Sequence, residues 1–173
     1  MEYTYTSNTK SLFKSELFTI TLLSMFAFLV PIVFAKITLF PNQLLIGTII
    51  NALLAYSTLR FNIWKSLPII LLPSIGALVS GIVFGQFSFF LLYLIPSIWI
   101  GNYVLVYFVK KHSERKIFAT TIASIFKTAV IFGFTLILYF LHIVPVMFLI
   151  PMSIIQLVTA LCGTGLVLGF TKN

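Results

Sequence analysis

The chain has 173 residues, 60% of them hydrophobic and 8% charged, with a mean hydropathy of +1.14. A solvated domain of this size needs far more polar surface than that, so a soluble globular protein is excluded. Eleven Lys and Arg against three Asp and Glu leave a net charge of +8. The basic residues stand singly or in one short cluster between apolar runs, the pattern of membrane topology signals. A nucleic-acid surface would converge many of them on one solvated face, so no nucleic-acid partner is expected. The single cysteine, Cys162, excludes a disulfide framework, a Cys-ligated zinc and a Cys-held iron–sulfur cluster.

Six apolar stretches reach the roughly 17 to 25 residues needed to cross about 30 Å of hydrocarbon. The expected fold is therefore an all-α membrane protein, a six-transmembrane-helix bundle in which residues 1–173 form one membrane domain. Residues 1–16 read as a cytoplasmic N-terminal segment ahead of the first span, 17–35. That span follows Lys10 and Lys14 and ends Val33-Phe34-Ala35, loosely like a signal-peptide cleavage site. Its apolar run exceeds the roughly 7 to 15 residues of a signal core, so it reads as a membrane helix.

The second span, 43–59, carries small and polar residues at Gly47, Asn51, Ala55 and Thr58. The third, 67–84, places Ala77, Gly81 and Gly85 four apart, a spacing that lets helix backbones approach closely. Only Gly85-Gln86 separates it from the fourth, 87–109, which stops at Lys110-Lys111. The fifth, 117–141, holds a polar stripe of Thr120, Ser124, Lys127, Thr128 and Thr135, and the sixth, 146–170, holds Ser153, Gln156, Ala160, Gly163 and Thr164. Pro31, Pro73 and Pro96 fall inside spans and predict kinks. Trp64 reads as an interfacial anchor beside Arg60 and Lys65, and Trp99 as a deeper packing residue.

Topology follows from the basic residues. With both termini cytoplasmic, the inner segments hold Lys10, Lys14, Arg60, Lys65, Lys110, Lys111, Arg115, Lys116 and Lys172, and the outer ones hold Lys36 alone. The expected location is the plasma membrane, with the lipid bilayer as surroundings and N-in/C-in orientation.

No span contains Asp or Glu; Glu2, Glu16 and Glu114 fall in the inner segments. Proton pumps, cation-selective pores and intramembrane aspartyl or zinc proteases place acids at depth, so those classes are not expected. His112 and His142 lie in loops on opposite sides and form no pair. The charged residue at depth is Lys127, eleven positions after Lys116 and hence about 16 Å into the membrane. By the same arithmetic Asn51, Ser74 and Asn102 lie about 12 Å from the inner face and Gln156 about 20 Å. This polar layer supplies the candidate substrate contacts: Lys127 for a carboxylate or phosphate, and Asn102, Asn51 and Gln156 for orientation. No catalytic set, cofactor or metal site is expected.

The runs Asn51-Ala52-Leu53-Leu54, Leu72-Pro73-Ser74-Ile75-Gly76-Ala77-Leu78, Gly101-Asn102, Ser124-Ile125-Phe126-Lys127 and Gln156-Leu157 look like those of small prokaryotic membrane proteins sometimes labelled "iron hydrogenase". A single cysteine argues against that chemistry. Size, six helices and short loops resemble the S component, the substrate-binding subunit, of energy-coupling factor (ECF) transporters. That resemblance implies an uptake subunit for a small neutral or anionic, vitamin-like metabolite, docking to a transmembrane coupling subunit served by two ATPases. The family's Ala-x-x-x-Ala signature is absent from the first span, where Ala27 and Ala35 stand eight apart, and so is the His-containing amino-terminal segment of its nickel and cobalt members. The alternative expectation is a non-catalytic structural or assembly subunit, whose polar layer only holds helices together.

Overall fold

A computed structural model describes residues 3–36 and 42–171, with side chains from residue 15 onward. Six helices dominate it: α1 (Tyr3–Phe34), α2 (Asn42–Arg60), α3 (Leu67–Ser80), α4 (Leu91–His112), α5 (Lys116–Phe140) and α6 (Gln156–Phe170). Together with the short 3₁₀ and π turns that precede α3, α4 and α6, they supply six segments long and apolar enough to cross a membrane. The chain is an all-α, multi-pass membrane bundle. Large apolar side chains lie exposed along every helix, Phe18, Tyr56, Val79, Ile100, Ile125 and Leu166 among them. An outer surface of that kind suits lipid, since soluble monomers rarely expose contiguous apolar patches beyond a few hundred Å².

The helices pair as α1 with α3, α2 with α6 and α4 with α5, while α5–α6, α3–α4 and α2–α4 contacts join the pairs. Small residues decide where the backbones come closest. A side chain at Gly76 would run into the carbonyl oxygen of Phe28 on α1, and one at Gly163 would run into the backbone of α2 at Thr48 and Ala52. Gly101 lets α4 approach α5 to within 3.3 Å of the Lys127 carbonyl, measured from where a Cβ would stand. Lipid removes the hydrophobic drive between helices, so close backbone approach is what holds such pairs.

Helix ends depart from the expected spans for local reasons. The helix containing the first span runs back to Tyr3, well before the apolar run begins. α3 stops at Ser80 because Gly81 adopts φ +66°, and Gly85 follows at φ +57°. These two glycines therefore terminate and turn the chain, with open space around them rather than a packed neighbour. α5 ends with His142 at φ +58° and a bond from the Ile143 amide back to the Leu138 carbonyl, a left-handed cap of the kind glycine usually makes.

Polar contacts gather the basic residues at one end. Lys65 pairs with Glu16 across 2.5 Å, Lys110 donates to the carbonyls of Thr58 and Phe61, and Lys116 donates to the Thr171 carbonyl. The last two cover carbonyls left free at the C-terminal ends of α2 and α6, where a cation is favoured. Arg60, Lys111 and Arg115 stand at the same helix ends, whereas Lys36 follows the opposite end of α1. The side chains of Lys10, Lys14 and Lys172 lie outside the described residues.

Candidate functional site

Lys127 sits at the middle of α5 and is 2% exposed. Its ammonium donates to Oδ1 of Asn51 at 2.5 Å. Asn51 in turn donates through Nδ2 to the Gly47 carbonyl at 2.8 Å and to Oγ1 of Thr159 at 3.3 Å. Thr159 donates to the Gln156 carbonyl one turn earlier. A single chain of hydrogen bonds thus ties α5 to α2 and α2 to α6.

The sequence builds this chain from small residues placed one turn from polar ones. Gly47 leaves room for Thr159, whose Cβ and Oγ1 lie 2.9 Å from where a Gly47 Cβ would stand. Gly163, four residues after Thr159, lets the α6 backbone lie against α2 beside Asn51. On α4, Gly101 brings its neighbour Asn102 level with Lys127. Asn102 donates through Nδ2 to the Ile70 carbonyl at 3.0 Å, and Trp99 donates to Ser74 Oγ at 2.8 Å and to the Leu71 carbonyl at 3.1 Å. These bonds hold the segment of α3 around Pro73, whose ring nitrogen cannot donate to the carbonyl four residues earlier.

All four candidate residues, Lys127, Asn51, Asn102 and Gln156, line one cavity of about 110 Å³. Ser74 and Thr159 complete its polar lining, and Ile46, Ile50, Leu91, Ile98 and Met152 supply apolar wall. Gln43, Val83, Phe84 and Pro151 line it toward the end of the bundle opposite the basic one. There the Gln43 amide donates to the Val83 carbonyl at 3.2 Å, and the Phe84 ring packs on Phe148 with centroids 4.8 Å apart. From Gln43 to Asn51 is eight helical residues, so the cavity reaches about 12 Å into the bundle.

The lining contains one ionisable residue, Lys127, and no acid. Lysine carries three N–H donors, and the bond to Asn51 uses one. The Gln156 side chain makes no hydrogen bond to any described residue, nor does Oδ1 of Asn102. Ser124 and Thr128 on α5 and Thr164 on α6 have buried hydroxyls without partners among the described residues. Among the described residues no three His, Cys, Asp or Glu side chains approach closely enough to hold a metal.

Two contributors escape the sequence reading. Gln43 continues the Gly47–Asn51–Ala55 stripe one turn earlier, and Thr159 lies one turn after Gln156 on the same face, so helical spacing carried both signals. The π turn over Pro151–Ile155 carried no such signal. It inserts a wide turn ahead of α6 and sets the faces on which Met152, Ile155 and Gln156 meet the cavity. Trp99 is half-buried and outside the cavity lining, bonded to α3 as described above. No family model matches the chain, and no curated protein or solved structure is significantly similar to it.

Proposed function

We propose that the protein is a non-catalytic membrane subunit that captures a small anionic metabolite for uptake. One observation carries this reading: a buried ammonium with no counter-charge among the described residues lines a cavity together with the amides of Asn51, Asn102 and Gln156. Intramembrane ions are costly and face the bundle interior or a cavity when they serve a site. A ligand carboxylate or phosphate would supply the missing charge.

The direction of access supports uptake. Basic loop residues favour the cytoplasmic side, which supports a reading with both termini inside and the basic end of the bundle at the inner face of the plasma membrane. The cavity lies toward the opposite end, beside Gln43 and Phe84, which on this reading is the outer one. Capture from outside followed by transfer to a coupling subunit with two ATPases is the ECF S-component mode, and six short-looped helices fit it. A vitamin-sized solute would require the outer end to open, because ligand sites of that size run to roughly 300 Å³ or more.

A structural or assembly role is the second reading. The bond chain from Lys127 through Asn51 to Thr159 favours it, since it joins three helices without any ligand. Native mass spectrometry of the gently solubilised protein separates the two. Capture predicts a retained small-molecule mass that Lys127→Ala loses, with ATPase and coupling subunits co-purifying. An empty protein after incubation with metabolite extract, bound to a membrane partner lacking ATPases, supports the structural role.

A further inference from the structure

We infer that the captured solute is a compact monocarboxylate with a short apolar body, an assignment that rests on the capture reading above. Charge is the first argument. One ammonium and no acid line the cavity, so a single negative charge closes the balance. A phosphate dianion or a dicarboxylate would leave one charge uncompensated away from water, where an unpaired charge is expensive.

Donor geometry is the second argument. Two ammonium N–H groups of Lys127, the second amide N–H of Asn102 and the free Gln156 amide make no bond to any described residue. A carboxylate has two oxygens with about four acceptor sites and matches such a set. Size and polarity of the rest of the space complete the case. Ile46, Ile50, Leu91, Ile98 and Met152 give the cavity an extended apolar wall, which suits a short apolar body. A volume of about 110 Å³ lies well below the roughly 300 Å³ of sites that take drug-sized ligands, which suits a compact acid.

The test is a ligand series on the purified wild-type protein in detergent, read by isothermal titration and thermal shift. The probes are propionate, butyrate, octanoate, propionamide, succinate and inorganic phosphate. Propionate or butyrate should bind at least tenfold more tightly than each of the others, and Lys127→Met should abolish that binding. Tighter binding of succinate, phosphate or propionamide that depends on Lys127 overturns the monocarboxylate assignment and leaves the capture reading standing. Equal binding of all anions to wild type and Lys127→Met also overturns it. If no probe binds wild-type protein shown to be folded by near-ultraviolet circular dichroism, and native mass spectrometry finds no retained ligand, both fall. The wild-type series decides the class whether or not the variant folds.

Discussion

The α1–α3 face and the α2–α5–α6 face of the bundle are held together by different means. Between α1 and α3, Gly76 seats against the Phe28 backbone, and Ala27, Val30, Ile69 and Ile70 are buried around that half of the core. Between α2, α5 and α6, Gly47 and Gly163 give the same close approach, yet Asn51, Lys127, Ser124, Thr159 and Thr164 are buried there as well. On α1 and α3 the described buried polar side chains are hydroxyls such as Ser24 and Ser74, with no charge among them. The second face alone buries an ammonium, and burying one within a membrane is costly.

The largest break should come from Asn51→Ala. It removes the acceptor at 2.5 Å from the Lys127 ammonium and leaves a buried charged donor without its hydrogen-bond partner, a change that costs about 3 kcal/mol. Equilibrium unfolding in detergent would read it, and a loss below about 1 kcal/mol would show the ammonium to be satisfied elsewhere. Asn51→Ala combined with Lys127→Met should recover most of the loss, because the stranded charge is gone.

Next come the two glycines, which compare the faces directly. Gly76→Ala and Gly163→Ala each drive a methyl into the backbone of a facing helix and should each cost about 1–3 kcal/mol. Their consequences should differ. Gly163→Ala displaces α2 at Asn51 and should weaken ligand retention, whereas Gly76→Ala acts at the α1–α3 contact and should lower stability with ligand affinity kept. Equal loss of affinity in both would mean that the cavity depends on the whole bundle.

The smallest effects belong to orphan hydroxyls. Ser24 on α1 and Ser124 on α5 each bury an Oγ without a partner, so Ser24→Ala should change stability by less than about 1 kcal/mol in the stabilising direction. Ser124→Ala should do the same if its hydroxyl serves neither ligand nor water. A clear destabilisation by Ser124→Ala alone would place a bound water or solute beside Lys127.

Much of the architecture was legible because membrane spans are long apolar runs and lysines mark their ends. The polar stripes on α2, α5 and α6 were legible too, since a helix repeats every three to four residues and Gly47, Asn51, Ser124, Lys127, Gln156 and Gly163 keep that spacing. Their convergence on one cavity was not, because spacing fixes a face and not its neighbour. The reading of Gly81 and Gly85 as a packing stripe failed for a related reason: the same spacing serves a helix face or two left-handed turns, and only backbone angles distinguish them. Trp99 reaching across to Ser74, and the π turn at Pro151, depend on how α3 and α6 sit in the bundle and left no local pattern.

Whether the buried ammonium serves a ligand rather than the fold can be read most directly from equilibrium unfolding of Lys127→Met beside wild type, in one detergent and without added solute. Removing the charge relieves its burial but leaves Asn51 Oδ1 to water from the adjoining cavity, so stability should change by no more than about 1 kcal/mol if the ammonium serves a ligand. A loss of about 3 kcal/mol or more would show that Lys127 holds the bundle together, and would contradict the ligand role.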